Sequence, residues 1–208
     1  MISTIITAGG ISRRFGTNKL LVKIDDLTVI EHTILKFLDL SDEIVIPATP
    51  QTRSFIEQSS VFDKNKITFA QFGETRQKSV YNALLGCKYK DKVLIHDGAR
   101  PFIEKSTIEQ VIAELDTKNA ICCGVFATDT IKITDNSGAI IKTIDRKNVF
   151  QAQTPQAFKY DLIMSAHKKF ATRDDFTDDS SLVEALGEKV WTLVSDGVNK
   201  KITTQADL

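Results

Sequence analysis

The feature that most constrains the fold is an alternation that runs from the first residues to Phe126. Short apolar runs at 2–6, 44–46, 67–69, 93–95 and 121–126 read as buried strands. Between them, 29–40, 52–59, 77–87 and 106–115 carry apolar residues at three- and four-residue spacing, the period of a helix packed on one side. Strands alternating with helices predict an α/β fold: a Rossmann-like, mostly parallel sheet flanked by helices. Ligands of such sheets lie beyond the C-terminal strand ends. Segments 8–19, 71–76 and 96–101 would all fall there.

After Ala127 the rhythm changes. Residues 130–134 and 139–144 flank Asp135-Asn136-Ser137-Gly138, a turn sequence. This predicts an inserted β-hairpin arm at about 128–150 with Ile131, Ile133 and Ile141 needing a surface to lie against. A homodimer formed through the arm is expected, with packing on its own domain as the alternative. Sheet and helix then return: 153–158, a helix at 160–170, a helix at 180–186 and a strand at 190–194. Trp191 is expected in the core. With 208 residues and no linker in view, one domain over 1–208 is expected.

Charge and cysteine content exclude several classes. Lys+Arg and Asp+Glu are both 27, so no general basic field attracts nucleic acid. No apolar run approaches a membrane span. The N-terminus enters a strand without the basic start, apolar run and cleavage site of a signal peptide. Cys87, Cys122 and Cys123 are odd in number and form no C-x-x-C, which argues against a disulfide framework or a zinc site. A cytoplasmic protein is expected.

The chemistry-bearing stretches sit at the strand ends. Ile5 and Ile6 run into Ala8-Gly9-Gly10, followed by Arg13, Arg14 and Lys19. Glycines let backbone approach a ligand, and three clustered cations need anions, so the loop suits a polyphosphate. A solvated turn with surface cations is the alternative. The pattern is neither G-x-G-x-x-G nor a P-loop. In 73–80, Gly73 supplies a turn, Thr75 an N-cap, and Ser79 faces the same crevice, although a capped helix start alone explains the pattern. Asp97, in His96-Asp97-Gly98-Ala99-Arg100-Pro101, is a strand-end carboxylate able to hold Mg2+ together with phosphates. Pairing with Arg100 is its plainer reading, and His96 reads as strand-end packing. Thr130 and Arg146 mark the root of the arm, Thr154 stands where it can close the pocket, and 177–181 read as an N-cap cluster. Lys201 is a single cation on an expected terminal strand, unremarkable in isolation.

Taken in order, these stretches resemble the 2-C-methyl-D-erythritol 4-phosphate cytidylyltransferase family. The shared motifs are the glycine loop, G-x-x-R-x-x-S-V, H-D-x-A-R-P, D-T-I-K, D-R, Q-T-P-Q-x-F, T-D-D-x-S-L and N-x-K-I-T, covering nearly the whole chain. Molybdenum-cofactor nucleotidyltransferases share only the first. The resemblance implies that CTP and a sugar-alcohol phosphate are the substrates. Ala8, Gly9, Gly10, Gly73, Ser79, Asp97 and Gly98 would bind the nucleotide, and Asp97 would help place Mg2+ or another divalent cation. Arg14, Lys19, Lys201 and Arg146 would be catalytic. Arg100, Thr130, Arg146, Thr154, Thr177 and Lys201 would hold the acceptor, with Thr130 and Arg146 supplied by the partner. Ribitol 5-phosphate as acceptor, or a nucleotide-binding homologue without catalysis, are the alternatives. The chain departs from the family pattern at Ser12, usually glycine, at Asn18, where proline is common, and at Gly98, usually alanine.

Overall fold

The structure is a computed structural model, and it describes residues 1–9, 15–195 and 197–208. The chain begins with β1 (Ile2–Thr7), a short hairpin of β2 (Lys23–Ile24) and β3 (Leu27–Thr28), and α1 (Val29–Leu38). It continues through β4 (Glu43–Ala48), α2 (Pro50–Gln58), β5 (Ile67–Gln71), α3 (Arg76–Gly86), β6 (Lys92–Asp97), α4 (Lys105–Glu114) and β7 (Ala120–Phe126). The arm β8 (Ile131–Thr134) and β9 (Ile140–Ile144) follows, then β10 (Phe150–Lys159), α5 (Tyr160–Lys169), α6 (Asp179–Ala185) and β11 (Trp191–Val194).

Seven strands form one sheet in the order β11-β7-β10-β6-β1-β4-β5. All run in one direction except β10, which pairs antiparallel with both β6 and β7. Neighbouring residues on the central strands face opposite sides, as the pleat requires. Ile6, Ile44, Ile46 and Leu94 pack with α1 and α4 through Ile30, Ile34, Phe37, Ile108 and Val111. Ile5, Val45, Val93 and Ile95 pack with α3, α5 and α6 through Val80, Leu84, Ile163, Ala166, Leu182 and Val183. Because both faces are covered, the strands read as mostly apolar runs rather than alternating ones, with Ser3 and Thr4 of β1 buried among them.

The hairpin of β8 and β9 is a separate two-stranded sheet. Asp135 accepts from the backbone N–H groups of Ser137 and Ala139, and Gly138 supplies the positive φ of +87° that the turn needs. Ile140 and Ile141 are 63% and 66% exposed, so the arm leaves apolar surface in water.

Three expectations need correction. Trp191 is half exposed rather than in the core, because β11 is the edge strand; its ring instead lies under the Lys118 ammonium. Lys201 lies in an irregular terminal segment rather than on a strand, since β11 is the last strand of the described residues. The β2–β3 hairpin and a 3-10 turn at Lys19–Leu21 occupy a stretch in which periodicity showed no element.

Candidate active site

At the C-terminal ends of β1, β5 and β6 a cavity of about 690 Å3 opens, lined by Thr7, Gly9, Lys19, Gly73, Arg76, Ser79, Asp97, Gly98 and Lys201 among others. Loops that follow parallel strands meet at this edge, which is why segments distant in sequence share one wall. Ala8, next to this wall, is buried and bridges to Ala48 of β4. Gly10 and Arg14, together with Ser12 and Arg13, lie outside the described residues.

Asn18 accounts for the approach of Lys19. Its side chain caps the 3-10 turn by accepting from Leu20 N and donates to Thr52 Oγ1 at 3.0 Å. Where the resembling family commonly has proline, a capping amide sets the turn. Lys19 Nζ then donates to the carbonyl of Ile202 at 2.7 Å, drawing the glycine-loop lysine onto the terminal segment that carries Lys201.

The start of α3 forms another wall. Thr75 is the N-cap, accepting from Lys78 N at 3.1 Å. Ser79 Oγ accepts from Gly73 N at 2.9 Å and donates to Thr75 O at 2.9 Å, locking the turn. A Cβ at Gly73 would fall 2.5 Å from Lys78 Cβ, so the turn needs glycine. Gly98 N donates to Thr7 O, and a Cβ there would sit 2.8 Å from that oxygen. Glycine at this position brings the exits of β1 and β6 together.

Asp97 lies at the centre. Its Oδ2 accepts from Lys201 Nζ at 2.6 Å and lies 3.7 Å from Arg100 Nε. Its Oδ1 faces Arg76 Nε at 3.3 Å. The Asp97 backbone N–H donates to Thr154 Oγ1 at 3.0 Å, and His96 Nδ1 lies 3.1 Å from the same hydroxyl. Burial would raise the Asp97 carboxyl, but the charges of Arg76, Lys201 and Arg100 hold it well below the usual carboxylate range. Burial likewise pushes the His96 imidazole down to about 4, so it stays neutral at pH 7. Lys19, Arg76 and Lys201 line the cavity with Glu74 and Asp97, which leaves one positive charge in excess there.

The structure therefore brings together Gly9, Lys19, Gly73, Ser79, Asp97, Gly98 and Lys201. Arg100 and Thr154 sit behind Asp97 rather than on the wall: Arg100 is largely buried and donates to Asn199 O at 2.9 Å. Thr130, Arg146 and Thr177 are exposed and do not line the cavity; Arg146 donates to the carbonyl of Thr128 at the root of the arm. A second cavity, of about 640 Å3, lies across the 72–75 segment between α3 and α5, lined in part by Lys78, Tyr81 and His167.

Sequence reasoning passed over Arg76. A signal was present: a cation in the first turn of a helix meets the positive end of the helix dipole and needs carboxylates to offset it. It also passed over Gln156, whose Nε2 donates to Asp178 and whose Oε1 accepts from Asp179 N and Ser180 N. That side chain ties the N-terminus of α6 to β10.

A sheet covered on both faces, with lysines and an arginine gathered round Asp97 in a cavity at its C-terminal edge, fits a nucleotidyltransferase-type enzyme. The chain matches the model of the IspD family, 2-C-methyl-D-erythritol 4-phosphate cytidylyltransferase, over residues 2–208, and belongs to that family. It is 38% identical over 216 residues to the 2-C-methyl-D-erythritol 4-phosphate cytidylyltransferase of Clostridium botulinum, covering 100% of this chain and 96% of that protein. The protein of the same name from Dictyoglomus thermophilum is 39% identical, covering 98% and 92%. Among solved structures, 4-diphosphocytidyl-2C-methyl-D-erythritol synthase from Anaerococcus prevotii superimposes with a TM-score of 0.87 at 30% identity, covering 100% of this chain and 94% of that one.

Proposed function

We propose that this chain joins CTP to 2-C-methyl-D-erythritol 4-phosphate, giving 4-diphosphocytidyl-2-C-methyl-D-erythritol and pyrophosphate. The observation that carries the reading is the meeting of Lys19 and Lys201 beside Asp97 in one cavity. A phosphate oxygen of the acceptor attacks the α-phosphorus of CTP, a new P–O bond forms, and the bond to the β-phosphate oxygen breaks. The acceptor monoester has its second pKa near ~6 and is largely dianionic at pH 7, so no general base is required. What the reaction does require is two polyanions held in line while charge builds at the α-phosphorus. Preorganised cations supply both.

Lys19 and Lys201 take the triphosphate and the developing charge, with Arg14 from the glycine loop as a third cation. Ala8, Gly9, Gly10, Gly73, Ser79 and Gly98 hold the nucleoside. Arg100, Thr130, Arg146, Thr154 and Thr177 serve the acceptor, Arg100 and Thr154 acting through Asp97 and its loop. Among the described residues no group of three or more His, Cys, Asp or Glu side chains could hold a metal ion. Asp97, a carboxylate on the wall of this cavity, nevertheless fits Mg2+, which binds through one or two carboxylates and takes its remaining ligands from phosphates and water. Asp97 would hold it, and the bound ion would neutralise phosphate charge. The exposed isoleucines of the arm support a homodimer in which Thr130 and Arg146 reach the partner's cavity. The buried thiols of Cys87 and Cys122 suit a reducing compartment, the cytoplasm.

The test incubates the chain with CTP, a divalent cation and either 2-C-methyl-D-erythritol 4-phosphate or ribitol 5-phosphate, and follows pyrophosphate and product mass. Turnover with the methylerythritol acceptor at ten times or more the efficiency of the other is expected. Preference for ribitol phosphate, or no pyrophosphate with either, refutes the reading.

A further inference from the structure

The Asp97 carboxylate is gripped on one oxygen by an arginine of the cavity wall that is itself tethered. Arg76 stands at the first residue of α3, with Nε 3.3 Å from Asp97 Oδ1 and Nη1 2.6 Å from Asp179 Oδ2. Asp179 is completely buried at the start of α6, and its backbone N–H is taken by Gln156. Its other oxygen faces His167 Nε2 at 3.5 Å and accepts no hydrogen bond. A buried carboxylate held this way is costly without a cation, and Arg76 is the cation it has. One guanidinium thus bridges two carboxylates through two different nitrogens, a geometry that a lysine ammonium does not reproduce.

We infer that Arg76 and Asp179 are positioning residues for the transfer reaction: the Asp179–Arg76 pair pins one oxygen of Asp97 and so aims the other, with Lys201 on it, into the cavity. This rests on the function proposed above. The tether also keeps Arg76 off the phosphates. A free arginine in this cavity would compete with Lys19 and Lys201 for the triphosphate, whereas a pinned one leaves the triphosphate to those lysines. Asp179 lies on α6, Arg76 on α3 and Asp97 on β6, so the pair couples three elements to the direction of one carboxylate.

The experiment is a double-mutant cycle on the full chain, with Arg76→Met, Asp179→Asn and the double variant. Parent turnover with CTP and the methylerythritol acceptor is measured first and tests the proposed function by itself. Relative to the parent, kcat is expected to fall about 30-fold for Arg76→Met and about 10-fold for Asp179→Asn, with KM for CTP within about threefold. The double variant should lose no more than about twice what Arg76→Met loses, since both changes break one tether. Losses that multiply, or parent-level kcat in Asp179→Asn, overturn the inference; so does a lowered Tm with unaltered kcat, which marks a merely structural pair. Should Arg76→Met fail to fold, Arg76→Lys replaces it and is expected to lose at least about fivefold in kcat, because one ammonium cannot serve both carboxylates. A readout independent of turnover is the 15N-labelled arginine Nε–H spectrum. The parent should show a slowly exchanging Arg76 signal that is lost in Asp179→Asn, and an unchanged spectrum contradicts the tether.

Discussion

Replacing Lys201 by alanine removes the ammonium that lies 2.6 Å from Asp97 Oδ2 and leaves the carboxylate with Arg76 and Arg100. At about 4 Å and an effective dielectric of ~20, two unit charges interact by roughly 4 kcal/mol. The Lys201 side chain is 40% exposed, so solvent screening reduces its interaction with a phosphate oxygen to about 2 kcal/mol. Charge accumulates as pyrophosphate departs, which raises the loss at the transition state to about 2–3 kcal/mol, roughly 30- to 150-fold in kcat. Folding should hardly change, because two cations still neutralise Asp97; the expected fall in Tm is less than about 3 °C. A continuous pyrophosphate assay at saturating CTP and acceptor, beside a thermal melt, measures both. Turnover of Lys201→Ala within threefold of the parent would refute the assignment of this lysine to the phosphates.

Further outcomes follow from groups away from the cavity. Glu43 is buried and accepts from Ser3 Oγ, Lys88 N and Tyr89 N at 2.6, 2.7 and 3.0 Å, so Glu43→Ala should cost about 3 kcal/mol in urea unfolding; a loss under 1 kcal/mol contradicts this. Burial depresses His96 to about 4 against ~6.5 in the unfolded chain, so its contribution, about 3 kcal/mol, is complete above pH ~6.5 and is lost as pH falls towards 4. Its ring resonances should therefore remain those of neutral imidazole at pH 5, and titration near 6.5 would count against the buried site. Burial also pushes Cys87 up to about 12 and Cys122 to about 11, so iodoacetamide at pH 8.5 should label neither until the chain is unfolded. Arg146→Ala should raise KM for the acceptor by about tenfold while changing that for CTP less than threefold, as loss of a charged hydrogen bond implies; the reverse pattern would move Arg146 to the nucleotide.

Fold class was legible because burial on both faces leaves mostly apolar runs in β1, β4, β6 and β7, interrupted in β1 by the buried Ser3 and Thr4. The hairpin arm was legible from turn chemistry at Asp135 to Gly138. Trp191 misled because composition does not reveal that β11 lies at an edge. In the site, Gly73, Ser79 and Asp97 were visible as strand-end punctuation and Lys19 as one of three clustered loop cations, whereas Lys201 stood out only through the N-x-K-I-T motif. Arg76 and Asp179 were hidden for a physical reason. Each stands in a first helical turn next to the capping residue, Thr75 or Asp178, that draws the eye, and the pairing that gives it meaning spans 103 positions. The position of Arg100 was ambiguous between substrate and Asp97, and the structure places it against Asp97 and Asn199.

The account turns on where the triphosphate sits. A crystal structure of the chain with CTP and Mg2+ measures this most directly. Phosphate oxygens within about 3 Å of both Lys19 Nζ and Lys201 Nζ, the usual reach of a charged hydrogen bond, with Asp97 beside the metal, are expected. A nucleotide seated instead in the second cavity between α3 and α5, with Lys201 still on Asp97, would contradict it.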